Sequence, residues 1–213
     1  MTAKRGDQLD PITFELLSAA LHAAAVEMGG VLKRSSYSPI IREMDDFSCA
    51  VFRADGDLVA QADFIPAQLG AMSLVVKAII DRWGGRAVPG DAFLANHPYL
   101  GAMHTPDLNV IMPVFTGRKL FGWVGTTAHH IDVGGVRPGT EGPDLEQVYA
   151  EGLLLPPVRL YRAGEENPTC STWWRRRSGT RCPPCPTCGP SGPRALPASS
   201  GCWTWSSDTG AAP

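Results

Sequence analysis

Residues 108–135, "LNVIMPVFTGRKLFGWVGTTAHHIDVGG", decide the fold. Two strand-like apolar runs, "LNVIMPVF" and "LFGWVGTTAHH", flank the turn "TGRK". Such a pair reads as a β-hairpin. Polar clusters mark both of its open ends. "HTPD", with His104 and Asp107, leads into the first strand, and "HHID", with His129, His130 and Asp132, closes the second beside a glycine-rich turn. In an antiparallel hairpin the start of one strand neighbours the end of the next. His104 and Asp107 are therefore expected to approach His129 or His130. Imidazole nitrogen and carboxylate oxygen drawn from strand ends suit a borderline divalent metal with an open position for water. Taken singly, each histidine reads as a hydrogen-bonded structural residue and Asp107 as a turn cap. Their convergence on one hairpin end is what points to a metal.

The flanking sequence supplies helices and a second hairpin. Asp10-Pro11 is a helix start, an N-cap acid followed by proline at the first helical position. Phe14, Leu17, Leu21, Ala24, Met28 and Val31 recur at three- and four-residue steps and predict one apolar helix face ending near Arg34, with Gly29-Gly30 marking a close packing contact. "SCAVFRADGDLVAQA" predicts a hairpin around Asp55-Gly56. "GAMSLVVKAIIDRWGG" predicts a second helix, stopped by Gly84-Gly85. "DAFLAN" is a short strand. Helices and hairpins alternate without regular βαβ units, so the expected class is α+β, a largely antiparallel sheet with packed helices. In "REMDDFSCAVF", Arg42, Glu43, Asp45 and Asp46 precede a strand. An acid there can be a further ligand, a general base or part of a solvated turn. Cys49, inside the strand, reads as a small buried hydrophobe.

With 213 residues and a formal charge of -2, nothing in the composition favours nucleic acid or an acidic membrane surface. The start lacks the apolar core of a signal peptide, no apolar run is expected to reach membrane-spanning length, and a cytoplasmic protein is expected. Residues 9–166 read as one globular unit. Residues 167–213 differ: they hold five of the six cysteines and four of the six tryptophans and no lysine, and they lose all hydrophobic periodicity. Cys182, Cys185 and Cys188 imitate a metal knuckle but lack a fourth ligand at compatible spacing. The tail reads as disordered, or as out-of-frame translation of GC-rich DNA, the reading favoured over a zinc module.

Four blocks carry a resemblance: "SPIIREMDDFSCAVFRADGDLVAQ", "NHPYLGAMHTPDLNVIMPVF", "AHHIDVGG" and "GPDLEQVYAEGLLLPPVRLY". Over residues 9–163 the chain resembles the hydantoinase B/oxoprolinase family, which includes subunits of N-methylhydantoinase, 5-oxoprolinase, acetone and acetophenone carboxylases and caprolactamase. Family chains are more than twice as long, so the resemblance implies an N-terminal fragment. It implies a two-component machine. An ATP-binding partner of the hydantoinase A type activates the substrate, and the B component completes ring hydrolysis of a small cyclic amide, or carboxylation of a ketone, at a divalent metal such as Zn2+ or Mn2+. By the same resemblance His104, Asp107 and His129 hold the metal, and Asp46 is a further ligand or base. His130 and Asp132 orient the ligands, with Asp46 or Asp132 handling the proton. A fragment is expected to be inactive alone, and a non-catalytic remnant is the other possibility. Two departures stand out: His97 replaces the family's usual aspartate, and Gln68 stands where many members carry histidine.

Overall fold

The computed structural model describes residues 10–137, 139 and 142–170. The deciding hairpin forms as expected. Strands β4 (Asp107–Thr116) and β5 (Lys119–His129) pair antiparallel from Asp107↔His129 to Thr116↔Lys119. Around them lie β1 (Phe47–Arg53), β2 (Leu58–Gln61), β3 (Ala92–Ala95), β6 (Val158–Arg162) and β7 (Glu165–Glu166). The order across the sheet is β2-β1-β5-β4-β3-β6-β7, and every neighbouring pair is antiparallel. With the helices α1 (Pro11–Ser35), α2 (Pro39–Arg42) and α3 (Pro66–Trp83), this is the α+β class the sequence predicts. β6 and β7 are not foreseen, because prolines break the strand pattern of "GLLLPPVRLY".

Strand alternation divides the core between the two sheet faces. On one face Ala50 and Phe52 of β1, Phe93 of β3, Ile111 of β4 and Trp123 of β5 pack under Met72, Val75, Val76 and Ile79 of α3. On the other, Phe47, Cys49 and Val51 meet Ala25 and Leu32 of α1. Farther along the sheet, Leu108 joins Leu94, Leu153, Leu155 and Leu160 in a separate cluster. Cys49 is fully buried and burial pushes its thiol up to about 12, in keeping with an inert hydrophobe.

Helix α1 begins where predicted, the Asp10 carboxylate accepting from the backbone N–H of Ile12 and Thr13. Its packed face differs in part from the predicted one. The buried residues are Ala25, Gly29 and Leu32; of the predicted face Leu21 and Met28 do pack on the core and Gly29 makes the predicted close contact, whereas Phe14, Leu17 and Val31 are exposed. The seam is rotated because close approach, not side-chain bulk, selects it: a Cβ on Gly29 would lie 2.4 Å from the Phe64 ring. His22 reinforces the seam, its Nδ1 donating to Gln61 O of β2 at 2.9 Å. Against the expectation that no apolar run reaches spanning length, one window of α1 has a mean hydropathy of 1.3 and passes by length and composition. Leucines, valines and alanines together carry that value, and 17% of the window is buried, through Ala25, Gly29 and Leu32 packed toward the sheet.

The packed chain continues past Glu166. Asn167 N–H donates to Leu160 O at 2.8 Å, and Cys170 packs beside Leu160 with its thiol donating to Arg159 O. The readings made for Cys182, Cys185 and Cys188 and for the rest of the tail lie outside the described residues.

Candidate metal centre

Three adjacent strands of the sheet open at one end, and each delivers a polar side chain there. Asp107 begins β4, His129 ends β5, and Asp46 immediately precedes β1, whose Phe47 pairs with Ala128. Asp107, His129 and Asp46 share the alternation of Ile111, Gly125 and Ala50, so all three belong to the α3 face. His104 is brought over them by a tight turn in which Asp107 N–H donates to His104 O at 3.2 Å. That loop is fixed from both sides. Buried Asn96 donates through Nδ2 to Thr105 O and Leu153 O and accepts from Leu155 N–H through Oδ1. Gly101, at φ 110°, turns the chain against α3, where a Cβ would lie 2.4 Å from Leu74. Backbone bonds from His129 N–H to Asp46 O (3.1 Å) and from His130 N–H to Pro106 O (3.0 Å) lock the strand end between the two loops.

Asp107 Oδ1 lies 3.0 Å from His104 Nε2 and 3.4 Å from His129 Nδ1, and the two imidazole nitrogens are 3.2 Å apart. One ligand atom from each of His104, Asp107 and His129 lies within 4.8 Å of the others, an arrangement that could hold a metal ion. Asp107 Oδ1 is buried and makes no hydrogen bond of good geometry despite these neighbours. An orphaned carboxylate oxygen facing converging ring nitrogens fits a cation with nitrogen and oxygen ligands, the donor set of zinc and manganese sites. The Asp107 side chain is 1% exposed, those of His104 and His129 33% and 18%, so the cluster is sealed beneath and open above, as a site that receives water or substrate must be. Burial alone would raise the Asp107 carboxyl. The facing His104 and His129 outweigh it and hold the carboxyl below its ordinary value.

The remaining predicted residues divide. Asp46 lies at the edge, its Oδ2 3.9 Å from His129 Nδ1, but it falls outside the group of three whose ligand atoms lie within 4.8 Å of one another. The preceding Asp45 turns the chain with φ 54° and is tied to Lys33 Nζ. His130 is enclosed. Its Nδ1 lies 2.9 Å from Ala128 O, a carbonyl that can only accept, so Nδ1 carries the proton. Burial pushes its pKa down to about 4 and keeps the ring neutral. Asp132 commits Oδ1 to the Gly134 N–H at 2.7 Å, a turn-capping role. The His97 ring packs 5.8 Å from Tyr99. Sequence reasoning assigned no role to the polar layer beneath the ligands. Ser48, Thr127 and Asn109 lie side by side on β1, β5 and β4, with Thr127 Oγ1 bonded to Asn109 Oδ1 and Asn109 Nδ2 donating to Asp107 O at 3.1 Å. Gln68 approaches from α3 and donates to Asp46 Oδ1 at 2.8 Å. The signal available for it was the departure at this position, a glutamine where many family members carry histidine.

The family model for hydantoinase B/oxoprolinase matches residues 10–185, from the first helix through the whole of this site. The chain belongs to the hydantoinase B/oxoprolinase family. The match continues past residue 163, where the four resembling blocks end. Among hydantoinase B/oxoprolinase relatives, a 5-oxoprolinase of Saccharomyces cerevisiae is 41% identical over 149 residues, covering 69% of this chain and 12% of its own. The B component of a putative D-/L-hydantoinase from a Pseudomonas species is 39% identical over 165 residues, covering 75% of this chain and 28% of its own. The crystal structure of an ATP-dependent caprolactamase from Pseudomonas jessenii superposes with a TM-score of 0.74 at 28% identity, over 82% of this chain and 30% of that one. The chain thus spans less than a third of the length of each of these hydantoinase B/oxoprolinase relatives.

Proposed function

We propose that this chain is the metal-bearing N-terminal portion of the B component of an ATP-dependent cyclic-amide hydrolase. The observation that carries the reading is the convergence of His104 Nε2, His129 Nδ1 and Asp107 Oδ1 at one open strand end. The names of the hydantoinase, 5-oxoprolinase and caprolactamase relatives support a hydantoin or lactam ring as the substrate class. These three atoms would hold Zn2+ or Mn2+, and Asp46 would complete the set. When bound, such a metal polarises a carbonyl oxygen or lowers the pKa of water towards about 7. The chain's own groups do the rest. Buried Asp107 fixes the site in place and supplies negative charge. The more exposed His104 and His129 line the face that a ring carbonyl approaches. Left off the metal, Asp46, at the edge of the cluster and partly exposed, would instead be placed to accept the proton of the attacking water. Asp132 is less suited, since its carboxylate already caps a turn.

Nothing in the sequence resembles a P-loop, so ATP is assigned to a hydantoinase A-type partner in the cytoplasm. The test is reconstitution with such a partner and the missing length of a B component. ATP-dependent opening of a hydantoin or 5-oxoproline ring is expected, and none is expected from the chain alone. Fixation of bicarbonate onto a ketone without ring opening would replace hydrolysis by carboxylation at the same residues. Ring opening by the purified chain without a partner would contradict the division of labour.

A further inference from the structure

Beneath the ligand cluster runs a chain of hydrogen bonds with one direction. Ile65 N–H donates to Ser48 Oγ at 3.3 Å. The Ser48 hydroxyl donates to Gln68 Oε1 at 2.9 Å, the nearer of its two acceptors, the other being Ile65 O at 3.1 Å. Gln68 Nε2 donates to Asp46 Oδ1 at 2.8 Å. Gln68 is 3% exposed and Ser48 0%, so neither amide nor hydroxyl exchanges its partner for water. The orientation of the amide follows from chemistry. Turned over, Gln68 would set its carbonyl oxygen against a carboxylate oxygen, two acceptors with no proton between them. With Oδ1 held, Asp46 has one rotational freedom fewer, and Oδ2 is left facing His129 Nδ1 at 3.9 Å.

We infer that Gln68 is a positioning residue, which holds Asp46 so that its free oxygen serves as the fourth donor to the metal. The inference rests on reading His104, Asp107 and His129 as that metal's site. An amide suits the task because it carries no charge of its own and cannot compete with Asp46 for the cation. Groups behind a ligand typically change metal affinity by about 10- to 100-fold when removed.

The test uses the full chain and Zn2+ alone, with affinity measured by competition against a chromogenic chelator and unfolding of the metal-free protein followed in parallel. Gln68→Met keeps the volume and removes both hydrogen bonds. It should weaken Zn2+ binding about 10-fold. Ser48→Ala, a small change in case the methionine variant does not fold, should weaken it by less. Asp46→Asn should weaken it at least as much as Gln68→Met. The decisive combination is Gln68→Met with Asp46→Asn, which should bind no more weakly than Asp46→Asn alone, since Gln68 acts only through Asp46. Unchanged affinity in Gln68→Met and Ser48→Ala, or losses that multiply in the double variant, would overturn the inference while leaving the site intact. Zn2+ binding undiminished in His129→Ala would overturn the site itself and the inference with it.

Discussion

His130 is enclosed at the end of β5, donating from Nδ1 to Ala128 O, and burial holds its pKa near 4 against an ordinary 6.5. In the unfolded chain it takes a proton as pH falls through 6.5, while the folded chain refuses one until about 4. Its contribution to stability is therefore complete above pH 6.5 and is lost progressively down to about 4, a total of about 3 kcal/mol. Urea unfolding of the metal-free protein across that window should show the loss, and His130→Gln should flatten it. Parallel pH profiles for the two proteins would show that the ring is hydrated in the folded state. At this scale the sequence is legible where chemistry follows from strand adjacency. His104, Asp107 and His129 are readable because one hairpin joins their positions. Asp46 depends on β1 choosing β5 as its neighbour, a non-local pairing that no spacing encodes. Gln68 carries no periodic signal, and it falls in a helical turn that the predicted start at Gly70 leaves out.

Among the elements, α1 makes the contrast between propensity and packing testable. Gly29 and Gly30 are adjacent, yet a Cβ on Gly29 would strike the Phe64 ring at 2.4 Å, while one on Gly30 would meet only the Arg34 guanidinium at 3.1 Å. Phe64 has little room to retreat, its ring centroid lying 4.3 Å from that of Phe47. Gly29→Ala should therefore destabilise the protein by about 1–3 kcal/mol, the usual result of overpacking. Gly30→Ala should stabilise it by up to about 1 kcal/mol through helix propensity. Thermal unfolding decides, and equal shifts for the two would mean that α1 does not sit as closely on β1 as described. Hairpins and helix ends are legible because turn dipeptides and caps are local. The buried stripe of α1 is not, because an alanine-rich helix offers apolar residues on more than one side and the sheet takes the closest approach rather than the bulkiest face.

On the scale of the whole molecule, the sheet works as a frame that aligns three strand ends. β1, β5 and β4 are consecutive in the sheet, and their open ends lie on the α3 face. The α+β class is legible because two hairpins are closed by short turns and βαβ units do not recur regularly. The far edge is not, because β6 pairs with β3 across more than sixty residues of chain, between Leu94 and Val158. The frame predicts that metal binding depends on the hairpin end and not on the cysteine-rich segment. The measurement is bound metal per chain, by elemental analysis, for the unaltered protein and for His104→Ala, His129→Ala and Cys185→Ala. One equivalent in the unaltered and Cys185→Ala proteins, and about none in the two histidine variants, is the expected result. Metal lost from Cys185→Ala and retained in both histidine variants would contradict it, moving the site into the tail.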